Sequence, residues 1–521
     1  MSLISKGKLF ALVLFLFSLL INQYYGNKGI FPVDSFAHFD SGFRILLGEY
    51  PFKDYWVVSG PFIDYLQAIF FYILGVNWQT YVFHASLINA LLSIATFFVL
   101  INFKLNIYYS FIYALFFSIL AYPTSGTPFA DHHSAFFSLL GVYSLILGIK
   151  KEEKKYWILL PVFFTFAFFS KQVPAFYVIL SVILVLFLYL IKKKKIYWVK
   201  YSLSTFIFII IFLLTLAKIQ SINLYSFLEQ YIFYPQSIAS DRFNNFIFTF
   251  SGLVGHFKFI YIAILPLIFV NIQKIFKTKK YLNNNNFYYF LILFLFTFSL
   301  IFHQLLTRNQ TFIFFLIPIL FAFSEININF SKINLRRIIS LFLISVCLIA
   351  TIKYHVRFNE NRKFHELNSV DFKLSNDAKK IDSKLSGLKW ITPGYKNQSI
   401  EEINLIRETQ LHLSKDNRSK MLMSNYSFFS IILSEKLFSP SRWYLFDGTD
   451  FPLKGNRHFD SYKKLLIKLI KTNNIEVIYT IYPVENSFLY IYFNKKCFNE
   501  NKISSILTGY EIIKNCLEIN N

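Results

Sequence analysis

Apolar runs near twenty residues long recur through the first 350 positions, and they constrain the fold more than any other feature. As a helix, each run can cross about 30 Å of hydrocarbon, where backbone N–H and C=O groups must be satisfied within the segment. Eleven crossings are expected, at 8–22, 81–101, 107–122, 132–149, 156–170, 175–191, 201–217, 257–271, 287–303, 311–323 and 337–352. Composition agrees: 55% of the 521 residues are hydrophobic and only 16% charged, where a soluble domain carries roughly 25% charged residues. The chain reads as a polytopic α-helical membrane protein. With 17 Gly, 14 Pro and no short repeat, collagen and coiled coil are excluded. The many Phe (66) and Tyr (34) accompany abundant Ile, Asn and Lys, the residues of A/T-rich codons, and carry no functional reading.

The formal charge of +24 matters through its placement. With the N-terminus in the cytoplasm, the loops predicted to face inward hold Lys104, the Lys150–Lys155 cluster, Lys192–Lys195 with Lys200, Lys274–Lys280, and Lys332 with Arg336 and Arg337. Basic residues concentrated on one membrane face satisfy the positive-inside rule and explain the charge without nucleic acid. The acids fall the other way. Before residue 353 only Glu152, Glu153 and Glu325 fall inside, whereas Asp34, Asp40, Glu49, Asp54, Asp64, Asp131, Glu229 and Asp241 fall outside. A carboxylate packed beside apolar helices is costly, so the acids nearest the spans are the better site candidates.

Segment 60–75 is apolar but carries Asp64 and Gln67, and spanning would reverse every later loop. It is expected to lie at the outer interface, so that interfacial helices occupy about 35–75 of the first outer loop. No small-residue cleavage site follows the first span, which therefore reads as an uncleaved anchor. From about Lys353 the composition becomes mixed and charged. The expected domains are thus 1–352, spanning the membrane, and 353–521, a soluble α/β domain outside it. Within the latter, Ser399–Lys415 reads as a helix with Ser399 and Glu402 at capping-box spacing. Strands are expected at Lys420–Asn425, Ile475–Ile481 and Phe488–Phe493. Cys497 and Cys516 either pair or remain thiols, and Cys347 in the last span reads as packing.

The first outer loop runs Phe31-Pro-Val-Asp34-Ser-Phe-Ala-His38-Phe-Asp40, then Gly48-Glu-Tyr-Pro51-Phe52-Lys53-Asp54, then Gly60-Pro61. An acid just after the first span, an interfacial helix, a "G-x-x-P-[YF]-[RK]-D" turn and a "G-P" step resemble the GT-C class of membrane glycosyltransferases. That class includes protein O-mannosyltransferases and the aminoarabinose transferases of lipid A. The layout of outer acidic loops, many crossings and a C-terminal outer domain matches as well. In one respect the chain departs: relatives often show two adjacent acids in this loop, whereas Asp34 is followed by Ser35. The resemblance implies a GT-C-like fold of about eleven transmembrane helices and transfer of a sugar from a polyprenyl-phosphate donor to a cell-envelope acceptor. It also implies that Asp34 is catalytic, acting as general base on the acceptor hydroxyl, which must lose a proton as it attacks the sugar carbon. The alternative is that Asp34 only caps a helix over Ser35–Leu47, with catalysis the preferred reading.

The second outer loop reads Pro123-Thr-Ser-Gly-Thr-Pro-Phe-Ala-Asp131-His132-His133. Asp131 is the second catalytic candidate, with His132 beside it in the substrate pocket. A helix cap with an interfacial histidine is the alternative. Adjacent histidines on a helix diverge by about 100°, so His132 and His133 do not bind one ion together. Some relatives use a divalent metal and others none, which leaves a metal cofactor open. Lys171 and Gln172 follow an apolar span, where an ammonium suits a lipid-linked phosphate or simply snorkels. His303 and Arg308 occupy a later outer turn, and a guanidinium there can grip phosphate bidentately. The expected substrate-binding residues are thus Asp54, His132, Lys171, Gln172, His303 and Arg308.

No phosphate loop, dinucleotide glycine pattern or nucleophile elbow is present in the sequence, which disfavours ATP-driven transport. A transporter, flippase or polymerase of lipid-linked glycans is the alternative. Transporters usually show inverted repeats and interrupted helices at mid-membrane, whereas the charged candidates here sit at span ends. The expected setting is the bacterial inner membrane, with the bilayer, a polyprenyl-phosphate sugar and an envelope acceptor as partners and no nucleic acid.

Overall fold

The computed structural model describes residues 3–244, 249–277, 281–308, 312–328, 333–484 and 487–513. Each of the eleven expected crossings overlaps a helix. Among the described residues nine helices are long and apolar enough to cross a membrane: Lys6–Gly26, Trp78–Asn102, Ile107–Thr124, Ala130–Lys151, Gln172–Lys193, Ile196–Ile219, Lys258–Lys277, Asn285–Thr307 and Leu335–His365. The chain is a multi-pass membrane protein. Two expected crossings are shorter. Lys154–Ser170 has 17 residues with Pro161 inside, and Leu316–Asn327 has 12. Pro61–Leu74, expected at the interface, has 14 residues, about 21 Å of helix against about 30 Å of hydrocarbon.

The chain divides into two compact units, each drawn from three stretches. The first comprises Met1–Gly26, Val82–Leu213 and Asn245–Phe364; the second comprises Asn27–Tyr81, Leu214–Asn244 and His365–Asn521. The stretches Asn27–Tyr81 and Leu214–Asn244 therefore group with the C-terminal region, a grouping that a linear division at 352/353 does not contain.

In the first unit the helices differ in what they face. Ala130–Lys151 is almost wholly buried and lies at the centre, whereas Val199–Ile219 has no buried residue and offers its apolar side chains outward, as a lipid-facing helix does. Several ends carry their own stop signals. Asn106 and Asn284 cap helices by accepting from Tyr108 and Asn286 backbone N–H. Lys150–Lys151 and Lys192–Lys193 fill last turns, where cations offset the helix dipole.

In the second unit Pro32–Leu46 and Pro61–Leu74 form a helix pair. The turn between them uses Gly48 at φ +79°, and Gly60 precedes the second helix at φ +73°. A Cβ at Gly60 would stand 2.3 Å from the His38 ring, so this motif position admits glycine alone. Farther on, strand Lys420–Met423 runs parallel to Val477–Ile481, which pairs antiparallel with Leu507–Ile512, itself flanked by Phe498–Lys502. The expected strand Phe488–Phe493 is instead a helix, Phe488–Tyr492. Its buried residues Phe488, Leu489 and Tyr492 follow helical spacing, and packing overrides the β preference of the aromatics. The expected capping box also takes another form. Gln398 is the N-cap, and the Glu402 carboxylate accepts from Trp390, Thr392 and Tyr426 inside the core. Cys347 is buried as packing, and Cys497 is buried; Cys516 lies outside the described residues.

Candidate active site

Three helices of the first unit bring their charged ends to one point. Asp131 sits in the first turn of Ala130–Lys151, just after Phe129, whose backbone is extended. Its Oδ2 accepts from Lys171 Nζ at 2.5 Å and its Oδ1 from His303 Nε2 at 2.9 Å. Lys171 lies at the break between Lys154–Ser170 and Gln172–Lys193, with extended backbone. Pro174 explains the break, because its ring drives Val173 out of helical geometry. Ser134 Oγ donates to the Lys171 carbonyl at 3.0 Å. Residues 131 and 134 share one helix face, so this face grips residue 171 by both side chain and backbone. His303 reaches in from the last turns of Asn285–Thr307.

Exposure within this cluster is uneven. The side chains of Asp131 and His303 are 4% and 0% exposed, and that of Lys171 is 26% exposed. The cluster is therefore closed at its carboxylate and imidazole and partly accessible along the lysine side chain. A carboxylate in apolar surroundings is tolerable only when paired, and removing one partner of a buried pair costs about 3–5 kcal/mol. The arrangement fits a site in which Asp131 fixes a cation aimed at an anionic ligand.

The two neighbouring histidines diverge, as helix geometry requires. His132 is buried against Phe136, Tyr122, Phe129 and Phe312. His133 faces His84, with Nε2 atoms 3.0 Å apart, and its Nδ1 meets the Tyr122 hydroxyl. Gln172 is half-buried at the start of its helix, and Arg308 is exposed at the end of Asn285–Thr307 with φ +56°. Lys171, not Arg308, is the cation paired with Asp131.

Asp34 and Asp54 belong to the second unit. The helix there begins at Pro32 with Phe31 as N-cap, so Asp34 lies within the first turn, half-exposed, and is not the N-cap of a helix from Ser35. Asp54 closes its own turn: its Oδ2 accepts from Tyr50 N–H at 2.8 Å and its N–H donates to the Tyr50 carbonyl at 3.0 Å. It holds the shape of the motif loop.

Sequence reading passed over a second set of charges, buried in the same unit. Asp64 accepts from His38 Nδ1 at 2.6 Å and pairs with Arg442 at 3.3 Å, and Arg442 also donates to the Ser59 carbonyl. Burial holds His38 below the usual imidazole range, so the neutral ring donates to Asp64. Nearby, Arg44 donates to Glu49 at 2.8 Å and stacks over Tyr55, while Asp40 accepts from Ser430. Burial pushes the Asp40 carboxyl up to about 6. Asp64 was visible as an acid in an apolar stretch; Arg442 and Ser430 stand in polar sequence that gives no contrast.

Among the described residues no group of three or more His, Cys, Asp or Glu side chains is disposed to hold a metal. Asp131 and His303 make a pair and not a coordination set, so no step below runs through a metal.

Residues 58–217 match the family model described as dolichyl-phosphate-mannose-protein mannosyltransferase, which includes Asp131 and Lys171. No curated protein matches the chain in sequence. A crystal structure of ArnT from Cupriavidus metallidurans bound to undecaprenyl phosphate aligns over 99% of this chain and 99% of its own, at 11% identity and a TM-score of 0.42. A likeness at that identity and score carries no argument about residues. In the Gly48–Pro61 turn and across the matched segment, the chain resembles the GT-C membrane glycosyltransferases of the mannosyltransferase kind.

Proposed function

We propose that this chain is a membrane glycosyltransferase that moves a sugar from a polyprenyl-phosphate donor to a hydroxyl of a cell-envelope acceptor, lipid, glycan or protein. The observation that carries the reading is the Asp131–Lys171–His303 cluster, partly accessible at its lysine side chain, with Asp131 and Lys171 both inside the segment matched by the mannosyltransferase model. In the reaction the bond from sugar C1 to the phosphate oxygen breaks and a bond from C1 to the acceptor oxygen forms. The acceptor proton passes to a base, and the lipid phosphate leaves with one more negative charge.

Lys171 is suited to that departing charge, and a fixed cation in a partly shielded site is worth more than one in water. Asp131 is already committed to Lys171 and His303, so its part is to hold both in place. Asp34, half-exposed and likened to the catalytic acid only by the first-loop resemblance, is proposed as the base. His132, Gln172 and Arg308 are proposed contacts to donor or acceptor, and Asp54 shapes the loop. The reaction is proposed for the outer face of a bacterial inner membrane, and the lysine clusters expected on the inner side support that face.

Purified protein in liposomes, given a labelled polyprenyl-phosphate sugar and an envelope extract as acceptor, should transfer label and release polyprenyl phosphate. Transfer from a soluble nucleotide sugar alone would contradict the donor assignment. A cysteine placed among Lys192–Lys195 should resist impermeant reagent in intact cells; ready labelling would reverse the proposed face.

A further inference from the structure

Arg362 bears two costs at one position. Its backbone sits at φ +46°, in the left-handed region that favours glycine. Its side chain is 1% exposed, and among the described residues no carboxylate pairs with it. A buried cation without an anion, on a strained backbone, calls for a compensating role.

What the guanidinium touches is specific. Nη1 donates to the carbonyls of Pro123 at 2.8 Å and Thr124 at 3.3 Å, and Nη2 donates to that of Ser125 at 3.0 Å. These three consecutive carbonyls form the turn that feeds the chain into Ala130–Lys151, the helix that carries Asp131 in its first turn. The turn is held from its other end by Asn22 Nδ2, which donates to the Gly126 carbonyl at 3.2 Å. Tyr122, at its start, bonds by its hydroxyl to His133, two residues past Asp131. Turn and helix start are thereby tied into one piece, with Arg362 as the largest single tie. A planar fork can serve three carbonyls at once, whereas an ammonium at the end of a flexible stem cannot.

We propose that Arg362 is a positioning residue for the transfer reaction: it fixes the Pro123–Ser125 turn and, through it, the direction in which Asp131 meets Lys171 and His303. The inference rests on reading the Asp131 cluster as the active site. A misplacement near 1 Å can cost about 10²-fold in rate without changing what binds. The expected signature is therefore a fall in kcat per folded molecule with donor KM retained.

The test compares wild type, Arg362→Met, Arg362→Lys and Asp131→Asn as full-length protein in liposomes, with the melting temperature and the folded fraction of each measured. Arg362→Met should lower kcat by about 10- to 100-fold with donor KM close to wild type. Arg362→Lys keeps the charge and loses the fork, so it should fold and recover only part of that loss. If Arg362→Met does not fold, Arg362→Lys carries the test alone. Wild-type kcat in Arg362→Lys and Arg362→Met, or losses that merely track the folded fraction, would overturn the inference. An inactive Asp131→Asn beside fully active Arg362 variants would sink the inference alone, whereas a fully active Asp131→Asn would sink the site reading beneath it.

Discussion

The two units bury charge for different ends. In the first, Asp131, Lys171 and His303 meet at helix ends and one member, the lysine, remains a quarter exposed. In the second, Asp64 and Arg442 are fully buried, with His38 and Arg44 nearly so, and they pair with groups of the unit itself. The residue types are alike and the distances similar. The difference is access. A buried network fastens the helix pair to the C-terminal region, while one left partly accessible at its lysine has a contact to offer a ligand.

The largest expected effect tests the closed network. Arg442→Met should strand the Asp64 carboxylate and destabilise the protein by about 3–5 kcal/mol, read as a lower unfolding midpoint in detergent. A loss below about 1 kcal/mol would place this pair with surface ion pairs and erase the contrast.

The next effect is on pH. Burial raises the Asp40 carboxyl to about 6 from an ordinary 3.8, so the folded state binds its proton more tightly than the unfolded one. Its contribution is fully present below about pH 4 and is lost as pH rises through about 6, a change on the order of 3 kcal/mol. Asp40→Asn should flatten that slope in a series of melting curves, and an unchanged slope would assign it elsewhere. The smallest effect is a control outside both networks. Lys155→Ala removes an exposed pair with Glu153 and should leave melting and transfer as they are.

Much of this fold is legible because lipid imposes one rule on every span. The apolar runs each overlap a helix, and 60–75 holds the 14-residue helix Pro61–Leu74. Legibility fell where packing decides, as at Phe488–Tyr492, whose composition suits a strand while its buried positions suit a helix. The candidate site divides the same way. Asp131, Lys171 and His303 stand out as polar residues at the ends of apolar runs, and the fold brings them together. Arg362 and Arg442 lie in stretches where charge is ordinary, and their partners are more than 200 and 300 residues away in sequence. Local contrast cannot reveal such residues; only the folded chain does.

The central claim is that the open ion pair serves glycosyl transfer, and the most direct measurement is the rate of labelled-sugar transfer by Asp131→Asn and Lys171→Ala in liposomes. Each should fold and insert, and each should lose about 10²-fold or more in transfer, with Lys171→Ala also weakening donor binding. Transfer at the wild-type rate by either folded variant would contradict the account.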